Sequence, residues 1–231
     1  MKVTVPNLIR AAGLSTALAG ILFAAILPIN SPDIFAPANT SAFILITSLK
    51  TIMSLFGLLG ITGLYARQAE QAGWLGLAGY LLLTTFFALQ MCFSFIEPAI
   101  LPLLTGMAPA FVESTLAMTS GTVGSMNLGA LATVYSLASI LFILGLLLFG
   151  ISTIRARILP RWAAALLTVS GPLAGILFRL FPQQLDQLTG IPTGIALAWL
   201  GLALFFERRA PASGAALAEQ ASTLANTNPV R

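Results

Sequence analysis

Charge is absent from six long stretches of this 231-residue chain, 11–32, 51–66, 71–96, 114–154, 162–178 and 187–206. The second of these extends upstream through 33–49, broken only by Lys50. A bilayer core about 30 Å thick takes about 20 mostly apolar residues in one helix, and each stretch supplies that with slight help from its flanks. Hydrophobic residues make up 58% of the chain, charged residues 8%, and the mean hydropathy is +0.95. A soluble domain has no means of hiding so much apolar surface. The pattern predicts an all-α fold, a multi-pass transmembrane bundle of six helices in one domain, 1–209. The remaining 210–231 is rich in Ala, Ser, Thr and Asn with little to bury, and is expected to be a disordered tail.

The six helices are expected near 8–29, 42–65, 73–96, 128–154, 162–181 and 192–206. With that count, Lys2, Arg10, Arg67, Arg155, Arg157, Arg161, Arg208, Arg209 and Arg231 all fall on one face. The opposite face carries Asp33, Glu97, Glu113 and Asp186. An excess of Lys and Arg marks the cytoplasmic side, so both termini are expected inside. Tyr65, Trp74 and Trp162 then sit at that interface, where an amphipathic ring is comfortable. The net charge of +4 and the isoelectric point near 9.8 come from this basic rim. They point to anionic lipid headgroups and give no reason to invoke nucleic acid.

Three features bear on organisation. Segment 98–127 mixes Pro, Gly, Ser and Thr with an apolar stretch at 107–118, which suits either a short helix on the outer surface or a flexible loop. Ala36-Pro37-Ala38 has the look of a signal-peptide cleavage site, but the preceding apolar run exceeds the usual length and Pro28 ends it early, so an uncleaved first helix is expected. Leu18-Ala19-Gly20-Ile21-Leu22-Phe23 recurs as Leu173-Ala174-Gly175-Ile176-Leu177-Phe178, a faint internal similarity of the kind transporters carry.

The residue inventory removes much chemistry. There is no histidine, hence no imidazole ligand for zinc or haem and no Ser-His-Asp arrangement. The seven carboxylates are scattered singly, so no pair at helical spacing shares acid–base work or holds a divalent metal. No phosphate loop, dinucleotide fingerprint or nucleophile elbow is present. The single cysteine, Cys92, reads as a small packing residue. No enzyme activity, metal or cofactor is expected.

Four residues stand out as a candidate binding site: Lys50, Arg179, Gln90 and Glu97. Ionisable groups within spans are expensive and mark function by default. Lys50 lies seventeen residues before Arg67 and Arg179 eighteen after Arg161, which places each about 25–27 Å from the basic rim. At that depth they either reach the outer headgroups by snorkelling or pair with Glu97, Asp33, Glu113 or Asp186, or they share an outward-facing cationic pocket with Glu97 or a bound anion. Gln90 cannot satisfy its amide as a hydroxyl does, so it is expected to face another helix or a wet cavity. Pro172 removes a backbone donor, so the helix carrying it is expected to bend.

The run Arg155-Ala-Arg-Ile-Leu-Pro-Arg-Trp162, the opening Arg10-Ala-Ala-Gly13 and the exit Gly63-Leu-Tyr-Ala-Arg67 resemble uncharacterised bacterial six-helix integral membrane proteins of the domain-of-unknown-function type. The resemblance implies their architecture and a bacterial inner-membrane location, and it carries no catalytic residue. The leading expectation is a non-enzymatic accessory or structural membrane protein. The alternative is a small-solute or lipid transporter whose outward pocket is lined by Lys50, Arg179 and Gln90. Expected partners are the lipid bilayer, including anionic lipid, and either a second copy or another membrane protein.

Overall fold

The computed structural model describes residues 5–26, 29, 38–119, 122–180 and 190–207, with the side chains of 5, 6 and 177–180 outside that set. The expectations for Asp33, Asp186, all of the 36–38 site but Ala38, and the 210–231 tail therefore fall outside the described residues.

All regular structure among the described residues is helical: α1 (Val5–Ile26), α2 (Ser41–Ala99), α3 (Leu101–Leu104), α4 (Pro109–Thr119), α5 (Ala130–Ala156), α6 (Arg161–Leu180) and α7 (Ile191–Phe206). Three helical stretches are long and apolar enough to cross a membrane, Asn7–Ile26, Ser41–Ala99 and Ala130–Ala156, and Ile191–Phe206 is a shorter apolar helix. Such lengths, in a chain of this hydropathy, point to a membrane.

α2 departs from expectation. The sequence divides it into 42–65 and 73–96 with a loop between, yet the helix persists through 66–72 and breaks at one residue, Gly73 (φ 57°, ψ −161°). The intervening Arg67-Gln-Ala-Glu-Gln-Ala72 is made of strong helix formers, so nothing ends the helix earlier. Straight, 59 residues would extend about 88 Å. Instead the chain doubles back, because Lys50 meets Glu97, Gly57 lies against the Phe87 ring, and Tyr65 stacks on Tyr80 with centroids 4.5 Å apart. All three pairs are centred near residue 73.

The Gly73 torsions belong to a region essentially reserved for glycine. No atom lies within 4 Å of where its Cβ would stand, so the demand is on the backbone alone. Gly73→Ala is expected to cost about 1–3 kcal/mol, seen as a lower melting temperature. Gly106 is equally open and lacks the positive φ, so Gly106→Ala should leave that temperature nearly unchanged.

Two further boundaries shift. Glu97-Pro98 does not close the helix: it continues to Ala99, and the Ile100 N–H donates to the Ile96 carbonyl at 2.9 Å. Proline is tolerated there because only the Ser94 carbonyl loses a donor. α6 carries Pro172 within it, which deprives the Thr168 carbonyl of its donor, the cause for which a bend was expected. The outer segment takes its helical option as α4, whose Val112 is buried with Ala38, Phe43 and Leu101.

Neighbours in the chain are neighbours in space, and each runs antiparallel to the last. The first arm of α2 packs on α1 where Gly60 and Gly63 admit Thr16 and Ala12. Its second arm packs on α5, with Gly79 against Phe149 and Gly145 against Leu83. α6 returns along α5, with Gly150 against Thr168 and Gly171 against Leu146, and α7 packs on α6. The cycle closes where α7 meets α1. There Gly13 and Gly20 oppose Gly201 and Gly194, each pair of glycines seven residues apart. A Cβ on Gly13 would stand 2.9 Å from the Gly201 carbonyl oxygen, and one on Gly201 2.6 Å from that of Gly13. Lipid supplies no hydrophobic drive for helix association, so backbone approach of this kind is what holds such a pair together. Within the cycle lies a continuous apolar core that includes Ile61, Leu64, Leu83, Phe87, Leu146, Phe149, Leu167, Leu197 and Leu200.

Candidate functional site

Lys50 and Glu97 come together at the open end of the α2 hairpin. Lys50 is twenty-three residues before Gly73 and Glu97 twenty-four after it, so a helix on each arm delivers them to one level. The Lys50 ammonium donates to Glu97 Oε2 at 2.8 Å, and the two side chains are 12% and 6% exposed. Of the partners open to Lys50, Glu97 is one that the structure supplies, as a largely buried ion pair. Charge-assisted hydrogen bonds of this length are the strong ones.

The surroundings are mostly closed. Phe43, two turns before Lys50, and Leu101, one turn after Glu97, are both fully buried in the outer cluster with Val112 of α4. Beside the pair, Tyr135 of α5 lies edge-on to Phe93 with centroids 5.4 Å apart, close enough to Glu97 to feel its charge. Ser54 donates its hydroxyl to the Lys50 carbonyl at 2.8 Å and Thr47 to the Phe43 carbonyl at 2.7 Å, so both serve their own helix.

Gln90, expected to face another helix or a wet cavity, donates from its amide nitrogen to Ser94 Oγ at 3.0 Å, one turn along the same helix. Gln90, Ser94 and Glu97 still share one stripe of the second arm, spaced four and three residues apart. Arg179 lies in the last turn of α6, and its side chain is outside the described residues. α6 packs against α5 and α7, so the α2 arm bearing Lys50 is not one of its principal neighbours.

A second polar cluster, unanticipated from sequence, lies at the opposite end. Arg67 Nε donates to both Glu207 carboxylate oxygens at 2.9 and 3.1 Å, joining α2 to the residue that follows α7. Next to it the fully buried Gln68 donates from Nε2 to Thr153 Oγ1 at 2.9 Å, and Thr153 passes its own proton to the Phe149 carbonyl at 2.8 Å. Gln68 Oε1 is buried without a partner among the described residues. The signal for this cluster was in the sequence, since Glu207 is the one acid beside the basic tail, but Arg67 and Gln68 read as loop residues.

No family model, curated protein or solved structure matches this chain. What the site can do must therefore be argued from its own atoms. Among the described residues no three metal-ligating side chains come together, and Cys92 is exposed on the bundle exterior. The chemistry available is ion pairing and hydrogen bonding between helices.

Proposed function

We propose that this chain is a six-span integral membrane protein of the bacterial inner membrane, with both termini cytoplasmic, that serves a non-enzymatic accessory or structural role. The spans in this reading are α1, the two arms of α2, α5, α6 and α7. The observation that carries the role is the Lys50–Glu97 pair: the cation that would make an outward pocket anion-attracting is neutralised within its own hairpin, under an apolar cluster from α2, α3 and α4. An ion pair so enclosed orients two helices. It has little left with which to hold a solute.

The transporter reading retains one supporting observation, the convergence of Tyr135, Ser94 and Gln90 on the same end of the bundle as the pair. Mass spectrometry of the natively purified protein separates the two readings. Copurifying proteins or lipids without a stoichiometric small solute support the accessory role. A solute retained by the wild type and lost from Lys50→Met would establish the transporter instead.

The topology has its own test. A reporter fused after Arg209 is expected to be active in the cytoplasm, and one inserted beside Glu113 to report outside, because Lys and Arg residues set orientation. A C-terminal fusion that reads outside removes the six-span arrangement.

A further inference from the structure

The end of the bundle that carries Arg67 also carries a surface that the polar network does not use. Gln68 bonded to Thr153 and Gly76 set against Ser152 fix the tip of the α2 hairpin beside the turn joining α5 to α6. That register brings Trp74, at the start of the second arm, to the level of Arg155 in the last turn of α5. Arg157 and Arg161 follow in the turn and at the head of α6, and Trp162 comes next. All three arginines are exposed, and neither ion pair among the described residues involves them. Trp74 and Trp162 are 86% and 79% exposed, an unusual state for indole rings unless something amphipathic surrounds them.

Backbone strain singles out the same place. Arg157 is the one non-glycine residue with positive φ among the described residues, at φ 57° and ψ 22°. Glycine is the ordinary occupant of a left-handed position ending a helix, and it would take this conformation without the Cβ penalty. Strain retained at an exposed arginine is a sign of use at that position.

We infer that Trp74, Arg155, Arg157, Arg161 and Trp162 form a docking site for an anionic phospholipid headgroup in the cytoplasmic leaflet. The guanidinium groups pair with the phosphodiester, in the geometry arginine favours for phosphate, and the two indoles lie at headgroup depth on either side. The inference rests on the orientation proposed above. Charge complementarity chooses the occupant: three cations on an apolar rim, in no ion pair among the described residues, match an anionic amphiphile.

The test uses full-length protein in detergent, loaded with phosphatidylglycerol or phosphatidylcholine and read by native mass spectrometry, with inorganic phosphate as a competitor. Preferential retention of phosphatidylglycerol is expected. It should weaken roughly fivefold for each arginine removed, and about a hundredfold in Arg155→Gln/Arg157→Gly/Arg161→Gln. Arg157→Gly alone should lower retention while its melting temperature holds or rises, since the strain is relieved; a merely structural arginine would not give that split. Equal retention of the two lipids, or a triple variant that holds phosphatidylglycerol as the wild type does, overturns the lipid site. Displacement by millimolar phosphate assigns the site to the free ion and also overturns it. A reporter inserted in the 155–161 turn that reads outside overturns the leaflet assignment together with the six-span reading, whereas the lipid result on purified protein is independent of orientation.

Discussion

Glu97→Ala is expected to destabilise the protein by about 3–5 kcal/mol, the range found when one partner of a buried ion pair is removed. The loss comes from Lys50, whose ammonium would be left at 12% side-chain exposure without the carboxylate it donates to at 2.8 Å. Lys50→Met deletes the charge on the other arm and should also lower the melting temperature, because Glu97 is left at 6% side-chain exposure without the ammonium that donates to it. Combining Lys50→Met with Glu97→Leu removes both charges and should return the melting temperature close to wild type, since well-packed apolar replacements of a buried pair are often neutral or stabilising. A double variant as unstable as Glu97→Ala would mean that the pair does more than neutralise itself.

Gly20→Val is expected to be comparably severe, about 3 kcal/mol, at the upper end for an overpacked site. A Cβ there would collide with the Ala198 amide nitrogen and the Gly194 carbonyl oxygen, both backbone atoms. Side chains can swing aside; a helix backbone relieves such a clash only by moving the whole helix. Because Gly194 opposes Gly20 and Gly201 opposes Gly13, substitutions at any of the four should give similar losses in thermal unfolding. Gly175, which meets only the Ile143 Cδ1 atom at 3.3 Å, should tolerate alanine far better.

That contrast shows what could be read from the chain and what could not. The hexapeptide shared by 18–23 and 173–178 aligns Gly20 with Gly175, yet one lies against backbone and the other against a movable methyl. Local identity does not specify the partner. The helices themselves were legible because a charge-free stretch near twenty residues has few other uses. The level of Lys50 could be read by counting from Arg67 at a constant rise, but Glu97 was only one of several acids open to it as a partner. The persistence of α2 through 66–72 was missed because charge was taken as a sign of a loop, although Arg, Gln, Ala and Glu are good helix formers. The seven-residue spacing of Gly13 with Gly20 and of Gly194 with Gly201 was present in the sequence. Its meaning depended on knowing that the first and last helices touch, which no local pattern encodes.

The contact between α1 and α7 also dictates an order of assembly. Gly13 and its partner Gly201 are separated by 188 positions, so α1 leaves the ribosome long before the helix that fits it exists. In that interval one side of α1 can be held by α2, through Thr16 at Gly60 and Ala12 at Gly63, while the notched side has no helix to fill it. Closure must wait for the final helix to be made. A translation product that stops short of α7 therefore leaves an open groove along its first helix, and full-length synthesis is what fills it.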